Sequence, residues 1–247
     1  MDKAPEKASV QKALLDDSCS AFRKYTNLFV GKKGFFAFLK YEFIIAFFGR
    51  IPGAAGIMLR RIFYRRLFKK VGRGVAFGRS LTIRHPHKIE IDDNTFIDEM
   101  AVLDAKGEAN EGIRIGKNVF VGRNTILSCK GGNLAIGDYS NIGPNNTLIS
   151  ESNLEIGNYV FTAGHCYLIA GGNHSHDRND IPIWFQPSVS RGGIKIEDDI
   201  WIGASVTILD GVQIGSGAII GAGSLVNKTI PDRSIAFGVP ASVNKTR

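Results

Sequence analysis

The sequence predicts an all-β fold of the parallel β-helix type, because its C-terminal third carries a six-residue period. Between Ile194 and Ile230, aliphatic residues recur at every sixth position, at Ile196, Ile202, Ile208, Ile214, Ile220 and Val226. Four residues after each stands a second small or branched residue, at Ile200, Val206, Val212, Ala218, Ser224 and Ile230. An amphipathic helix repeats at three and four residues and a long strand alternates strictly, so neither fits. Stacked coils of short strands do fit this period.

Glycine marks the corners of these predicted coils. Gly203, Gly215 and Gly221 each follow an aliphatic residue directly, where a tight corner needs a residue that tolerates close approach of two backbones. The chain holds 29 glycines without a collagen triplet, and this abundance indicates many corners rather than disorder.

The coils are predicted to begin at residue 71 and to continue to residue 247. Aliphatic residues stand at Ile91, Ile97, Leu103, Ile115, Val121 and Leu127, and Ala109 fills the sixth-residue slot in the gap. Small insertions then shift the phase, and we expect them to bulge outward at corners. Residues 171–193 abandon the period and are rich in His, Asp, Asn and Pro. A long loop that leaves a rigid solenoid is usually functional.

Residues 1–70 form a separate, basic segment. We expect residues 1 to about 30 to be a loosely held polar lead-in without a signal peptide. Phe35 to Phe48 is rich in Phe, and GIMLRRIFYRRLFKK follows it with apolar residues set among arginines and lysines. These stretches predict two helices, the second of them amphipathic. They are too short and too charged to span a bilayer.

Charge favours a membrane role for these helices. Residues 1–80 hold 17 Lys and Arg against 5 Asp and Glu, a net charge of +12, whereas the remainder carries −4. We therefore expect residues 35–70 to lie on an anionic membrane surface, at the inner face of the cytoplasmic membrane. The alternative is a cap on the end of the β-helix or on another subunit. Nucleic-acid binding is not expected, because the segment lacks the Gly and polar interleaving of single-strand readers.

The C-terminal coils resemble a known family. The run GASVTILDGVQIGSGAIIGAGSLVNKTIP, continued by AFGVPA, is similar to the end of the hexapeptide-repeat acyltransferases, and most similar to O-acetyltransferases of surface polysaccharides. The resemblance covers roughly residues 50 to 245. It implies a left-handed β-helix with three hexads per coil, an exception to the right-handed crossover rule. It also implies a homotrimer with the active site between two subunits.

The resemblance implies direct transfer of an acetyl group from acetyl-CoA, as co-substrate, to a sugar hydroxyl. Such a transfer needs a base near neutral pH, and histidine is the side chain whose pKa suits this task. His174, in GGNHSHD, stands where the family carries its catalytic histidine. His176 is the competing candidate. No metal is expected to take part.

The resemblance also places the acetyl-CoA contacts on the last coils. Backbone amides near Gly203 and Ala204, at the corner after Trp201, are candidates for the oxyanion and pantetheine contacts. By matched position, Ala222 and Gly223 would line the groove for the carrier. Lys228 in VNKTIP would meet its phosphates, and Lys245 stands where related sequences hold an arginine. For the acceptor, Asn145 matches a sugar-contacting asparagine, and Trp184 lies in the long loop.

Three further interpretations stay open at this stage. The first is a soluble acetyltransferase that acts on a small sugar or a sugar-nucleotide amine. The second is a metal lyase of the γ-carbonic-anhydrase type, which needs three histidines that converge on one zinc ion. His165, His174 and His176 are spaced nine and two residues apart, which does not place them on matching faces of successive coils. The third is a scaffold without catalytic activity.

Overall fold

The computed structural model describes residues 19–247, and its body is a solenoid of parallel strands. Three sheets form the faces of a prism. Sheet I contains β1 (Lys70–Val71), β4 (Ile89–Ile91), β7 (Ile113–Ile115), β10 (Leu134–Ile136), β13 (Leu154–Ile156), β18 (Ile194–Ile196) and β21 (Gln213–Ile214). Sheet II contains β2 (Ala76–Phe77), β5 (Phe96–Ile97), β8 (Phe120–Val121), β11 (Asn141–Ile142), β14 (Phe161–Thr162), β19 (Trp201–Ile202), β22 (Ile219–Ile220), β24 (Ser234–Gly238) and β25 (Ala241–Thr246). Sheet III contains β3 (Thr82–Arg84), β6 (Val102–Ala105), β9 (Ile126–Cys129), β12 (Thr147–Ser150), β15 (Tyr167–Ala170), β20 (Thr207–Ile208) and β23 (Leu225–Val226).

Aliphatic side chains stack in register along the axis of this solenoid. On sheet I, for example, Ile136 pairs with Ile156, and Ile156 pairs with Ile196. The C-terminal hexad residues that the sequence assigns to the core are all at most 3% exposed. Each buried aliphatic side chain contributes about 1.5–3 kcal/mol relative to leaving it in water. The predicted fold, a hexapeptide-repeat left-handed β-helix preceded by helices, is confirmed.

All insertions leave the solenoid at one edge, the corner that leads from sheet III to sheet I. They comprise residues 85–88, 106–112, 130–133, 151–153 and the long loop 171–193. The insertion 106–112 overturns one expectation, because Ala109 is exposed and fills no core slot. Ile91 pairs directly with Ile115, so the residues around Ala109 form a loop outside the coil. The Asn110 amide group holds this loop by donating to the Lys106 and Gly132 carbonyls.

The C-terminal tail closes one end of the solenoid. β24 pairs in parallel with β22, and β25 folds back antiparallel on β24. The Val239–Pro240 peptide bond at the hairpin tip is cis. Lys245 and Arg247 lie at the outer edge that results, and charged side chains discourage further strands from adding there.

Helices pack against the first coil. α1 (Ala21–Tyr25) continues into a π-helical turn (Thr26–Val30), and α2 (Phe35–Phe48) and α3 (Gly53–Tyr64) follow. The predicted loose lead-in lies outside the described residues for positions 1–18 and is wrong for residues 19–30. There, Thr26 and Val30 are 5% and 4% exposed, and the Phe29 carbonyl accepts a hydrogen bond from the His85 amide. The turn is held because it covers the open end of the apolar core.

The second predicted helix is shorter than expected. It ends at Tyr64, and Leu67 and Phe68 turn into the core at 9% and 7% exposure. Arg60, expected on a lipid-facing surface, is 1% exposed instead. Its guanidinium donates to the carbonyls of Phe48, Ile51 and Phe77 at 3.2, 2.7 and 2.9 Å. It therefore ties the end of α2 to the first coil, because a buried arginine must satisfy its donors.

Two histidines lie beneath the π-helical turn. His85 is 9% exposed, and its Nε2 atom lies 2.9 Å from the Asn27 carbonyl oxygen. Burial lowers the pKa of His85. Burial, followed by the positive charge of Lys32, lowers the pKa of His87 to about 4. Both imidazoles are therefore neutral in the folded protein at neutral pH.

We expect this pair to make stability depend on pH. A histidine in the unfolded chain titrates near pH 6.5, so unfolding takes up protons between about pH 6.5 and 4 and becomes easier as the pH falls through that window. The His87→Gln variant removes one such group, and its urea midpoint should fall less than that of the wild type between pH 7 and pH 5. Ile183→Gln, at an exposed position without a titratable group, is the control and should keep the wild-type slope. Equal slopes for all three proteins would contradict this assignment.

Candidate functional site

Two successive turns stack closely at the corner between sheets II and III. The Gly203 amide donates to the Ile220 carbonyl at 2.8 Å, and the Gly223 amide donates to the Ala204 carbonyl at 2.8 Å. A Cβ atom on Gly203 would lie 2.6 Å from the Ala222 nitrogen, so only glycine allows this approach. The structure thus brings together four residues that the resemblance assigns to acetyl-CoA: Gly203, Ala204, Ala222 and Gly223.

The corner offers hydrogen-bond donors to a ligand. Ala204 and Ala222 are both exposed, and within residues 19–247 neither of their amides has a hydrogen-bond acceptor. The Gly203 amide, in contrast, belongs to the strand ladder and is not available. Rigid, unpaired amides of this kind stabilise carbonyl oxygens and oxyanions well, because no reorganisation is needed. Trp201 stands beside them on sheet II with 54% of its side chain exposed.

The same corner carries a polar row in earlier turns. The Asn124 side-chain amide donates to the Asn145 Oδ1 atom at 3.1 Å, and the Asn145 Nδ2 atom lies 3.5 Å from the His165 Nε2 atom. All three residues adopt positive φ, a conformation that asparagine tolerates well. Asn145 therefore lies next to His165, and these two residues stand two turns and one turn, respectively, before the turn of Ala204.

His165 is a residue that sequence reasoning did not assign to this site. Its backbone continues the corner, because the His165 amide donates to the Pro144 carbonyl and the Ser205 amide donates to the Gly164 carbonyl. A signal was available in the sequence. In three turns of this corner, the corner residue follows a glycine by two positions (GPN145, GAS205, GAG223), but Ala163 replaces that glycine before His165.

The two histidines predicted as bases lie in the long loop. β16 (Asn173–His174) and β17 (Ser188–Val189) form a short antiparallel hairpin in which His174 faces Ser188. His174 and His176 are exposed. Among the described residues, no group forms a hydrogen bond with either imidazole. The chain alone therefore does not orient the predicted base.

The tip of the loop is held by a buried amide. Gln186 is 5% exposed, its Nε2 atom donates to the Arg178 carbonyl at 2.7 Å, and its Oε1 atom accepts from the Arg178 amide at 3.3 Å. A 3₁₀ turn (Ile183–Phe185) then presents Trp184 with 61% of its side chain exposed. The predicted acceptor contact Trp184 is thus accessible, but it lies on a different edge of the solenoid from Asn145.

Sheet III separates the long loop from the corner that carries the Ala204 and Ala222 amides, which we call the amide corner. His165 comes just before β15 and His174 comes after it. Four residues of a strand span about 13 Å, so a single chain does not bring His174 to the Ala204 and Ala222 amides. His165, in contrast, shares their corner.

The two predicted phosphate contacts are exposed and lie on different elements. Lys228 follows β23 on the way back to sheet I, whereas Lys245 lies on β25 opposite Ile235. Both side chains remain accessible to a ligand.

Other catalytic chemistry has little support in the described part of the chain. No group of three or more His, Cys, Asp or Glu side chains in residues 19–247 is arranged to hold a metal ion. Cys129 is buried, and desolvation raises the pKa of its thiol to about 12. The thiolate needed for nucleophilic attack is therefore disfavoured.

Comparison with known proteins identifies the family of this chain. Residues 193–228 match the family model of the bacterial transferase hexapeptide (six repeats). A Mycobacterium tuberculosis protein named as a probable acetyltransferase is 36% identical over 55% of this chain and 44% of its own length. A galactoside O-acetyltransferase of Lactococcus lactis is 34% identical over 53% of this chain and 61% of its own. An Escherichia coli protein named for colanic acid biosynthesis, the acetyltransferase WcaF, is 31% identical over 55% of this chain and 70% of its own length.

Solved structures share the fold. An N-acyltransferase of Bacillus cereus, crystallised with dTDP and coenzyme A, superposes with a TM-score of 0.53 at 22% identity, over 80% of this chain and 91% of its own. The chain covers about half of the first curated relatives and more than two thirds of the Escherichia coli protein. The chain therefore belongs to the hexapeptide-repeat acetyltransferase family.

Proposed function

We propose that this protein is an acetyl-CoA-dependent O-acetyltransferase whose acceptor is a saccharide hydroxyl on a surface polysaccharide or a lipid-linked glycan. The observation that carries the proposal is the pair of unpaired, exposed amides of Ala204 and Ala222 on one corner of successive turns. Relatives named as galactoside O-acetyltransferase and for colanic acid biosynthesis support the acceptor class.

The amide corner suits the pantetheine arm of acetyl-CoA. That arm is a chain of amides, so its carbonyl oxygens can accept from the Ala204 and Ala222 N–H groups while its apolar segments lie against Trp201. Gly203 lets the two turns stack closely, because a Cβ atom there would lie 2.6 Å from the Ala222 nitrogen. Lys228 and Lys245 are the cations that would meet the phosphates of the carrier.

The chemical step needs one base and no covalent intermediate. His174 removes the proton from the acceptor hydroxyl as its oxygen attacks the acetyl carbonyl. The new C–O bond forms, the C–S bond breaks and the thiolate of coenzyme A leaves. An unpaired amide at the corner donates to the developing oxyanion. His176 in the loop and His165 at the corner are the competing bases.

A homotrimer would complete the site. On its own chain, His174 and the amides lie on opposite sides of the sheet III strands, and nothing in residues 19–247 orients the His174 ring. A second copy of the chain, placed against sheet III, would bring His174 to the amide corner of its neighbour. Exposed Phe161, Tyr167 and Trp201 on sheets II and III offer apolar surface for this contact.

The helices support attachment to an anionic membrane at the inner face of the cytoplasmic membrane. One side of α2 exposes aromatic and aliphatic side chains at four-residue spacing, and Phe36 is 86% exposed. The exposed set is Phe35, Phe36, Leu39, Phe43 and Phe47 on α2, with Ile57, Met58 and Ile62 on α3. Lys32, Lys33, Lys40, Arg50 and Arg61 are exposed close to them in sequence. No described helix is long and apolar enough to cross a bilayer, so this contact would be peripheral.

The first test of this function compares histidine variants. Purified wild type should bind acetyl-CoA in calorimetry and transfer acetyl groups to members of a glycan panel. We expect His174→Ala to keep the Kd for acetyl-CoA and to lose kcat by a factor of about 10²–10⁴, because general-base catalysis contributes that much. His165→Ala and His176→Ala should retain most of the activity.

Each other outcome of that test has a definite meaning. Loss of kcat in the His165 variant, with kcat retained in the His174 variant, would identify His165 at the amide corner as the base. Transfer to a sugar-nucleotide amine rather than to a hydroxyl would replace the proposed acceptor. Absence of acetyl-CoA binding in the wild type would remove the enzyme proposal and leave a scaffold.

The amide corner can be tested with proline. Pro144 occupies the position of Ala222 in an earlier turn of the same corner, so Ala222→Pro should keep the fold while it removes one N–H donor. A net hydrogen bond is worth about 0.5–1.5 kcal/mol, and we expect the Kd for acetyl-CoA to rise about two- to tenfold. Arg123→Pro, at the equivalent position of another turn, is the matched control. An unchanged Kd in the Ala222 variant at wild-type melting temperature would exclude this contact.

Vesicle binding tests the helical face. Sedimentation with vesicles that contain phosphatidylglycerol should capture the wild type, and Phe36→Asp combined with Phe43→Asp should abolish capture. Tyr159→Asp is the control, because Tyr159 is 60% exposed and adopts the positive φ that Asp199 adopts at the next turn of its corner. Equal capture of both variants would show that this face does not bind lipid.

A further inference from the structure

Asp210 lies at the base of the long loop. It follows β20 at the corner that leads from sheet III to sheet I, the edge from which residues 171–193 leave, and it is 5% exposed. Its carboxylate accepts four hydrogen bonds, three of them from the two ends of the loop. We propose that Asp210 is a positioning residue that fixes the long loop, and with it His174, on the solenoid. This inference rests on the proposed function.

Each carboxylate oxygen of Asp210 accepts two hydrogen bonds. Oδ1 accepts from the Gly193 amide at 2.9 Å and from the Ser152 hydroxyl at 3.2 Å. Oδ2 accepts from the Asn173 side-chain amide at 3.1 Å and from the Arg191 amide at 2.5 Å. An ionised carboxylate is the only side chain of this size that offers two acceptors and no donor. The arrangement therefore selects aspartate specifically.

The two ends of the loop need such an anchor. Gly171 and Gly172 precede the hairpin and Gly192 and Gly193 follow it, all with positive φ. At Gly193 a Cβ atom would lie 2.2 Å from the Asn153 carbonyl oxygen. Glycine pairs leave the backbone free to rotate, and a hairpin of two-residue strands is marginally stable by itself. The Asp210 carboxylate is the group that binds both ends of the loop at once.

Asn173 links the anchor to the predicted base. Its side chain donates to Asp210, and its carbonyl accepts from the Ser188 hydroxyl at 3.2 Å across the hairpin. His174 is the next residue and pairs with Ser188. A shift of Asp210 therefore moves the His174 backbone, although Asp210 lies in the solenoid and takes no part in the chemical step. Small displacements of a catalytic group reduce the rate strongly.

The test is Asp210→Asn, which keeps the shape and replaces one acceptor oxygen with an NH₂ group that faces two donors. We expect hydrogen exchange at the amides of Arg191 and Gly193 to accelerate at least tenfold, and kcat per folded molecule to fall about tenfold or more. The Kd for acetyl-CoA should stay within twofold, because the amide corner is on the other edge of sheet III. Asp138→Asn is the matched control, since Asp138 accepts from the Lys117 amide at a corner away from the loop.

A double-mutant cycle separates positioning from general stability. If Asp210 acts through Asn173, then Asn173→Ala and Asp210→Asn should each lower kcat, and the double variant should lose little more than either one. Additive losses, or a lower melting temperature with unchanged kcat and exchange, would overturn the proposal and leave a structural role.

Failure of the proposed function and failure of the Asp210 anchor give different experimental results. If the wild type transfers no acetyl group, both the proposed function and the role of Asp210 in catalysis are wrong. The hydrogen-exchange rates still show whether Asp210 anchors the loop. If the wild type is active and Asp210→Asn keeps wild-type exchange and kcat, the proposed function stands and only the anchor is rejected.

Discussion

Stacking of aliphatic side chains in register is the constraint on which the rest of this structure depends. Ile115, Ile136, Ile156 and Ile196 lie one above the other on sheet I, and a slip of one residue would turn each of them outward. Every turn must therefore return to the same phase, whatever lies between its strands. Extra residues can only leave the coil as a loop and come back to the same point. In this chain they all leave at the corner between sheets III and I, so that one edge varies while the other two corners stay tight.

The tight corners acquire a chemical property from the same constraint. Each turn places one residue in a left-handed conformation, as at Asn145, His165 and Ser205, and its amide donates to the turn before. The residue that precedes it points its own N–H group away from the ladder. In one earlier turn proline removes that donor at Pro144, and in the last two turns small alanines leave it accessible. A row of ligand-binding amides therefore needs no dedicated loop, only a small residue at the right place in the repeat.

The sequence predicts those features that depend on period and fails where tertiary contacts decide. Hexad residues such as Ile202 and Ile220 lie in the core as predicted, because the period alone determines which face they occupy. Ala109 is small enough to fit a core slot, and the six-residue count extends through it, but pairing between strands shows it lies in a loop. Arg60 looks like its exposed neighbours, yet three backbone carbonyls that no local pattern reveals make its burial favourable.

The candidate site shows the same division. The resemblance assigned Gly203 and Ala204 at the corner after Trp201, and Ala222 and Gly223 by matched position, and the repeat stacks these four residues together. His165 was missed because Ala163 replaces the glycine that stands two positions before the corner residue in the turns of Asn145, Ser205 and Gly223. The contacts of Asp210 were not predictable either, since they join residues 152, 173, 191 and 193. Such a cluster exists only once the loop has been folded back on the solenoid.

The geometry of a prism gives a physical reason for an active site shared between chains. Donors on one corner and a loop on the next are separated by the width of a sheet, and stacked strands cannot shorten that distance. A loop long enough to cross sheet III would lose more conformational entropy on ordering than one anchored at its own edge. A neighbouring chain can supply the missing corner without that cost, because its own solenoid already holds the amides in place. On the proposed function, the rigidity that fixes each half of the site in one subunit therefore favours assembly of the two halves between subunits.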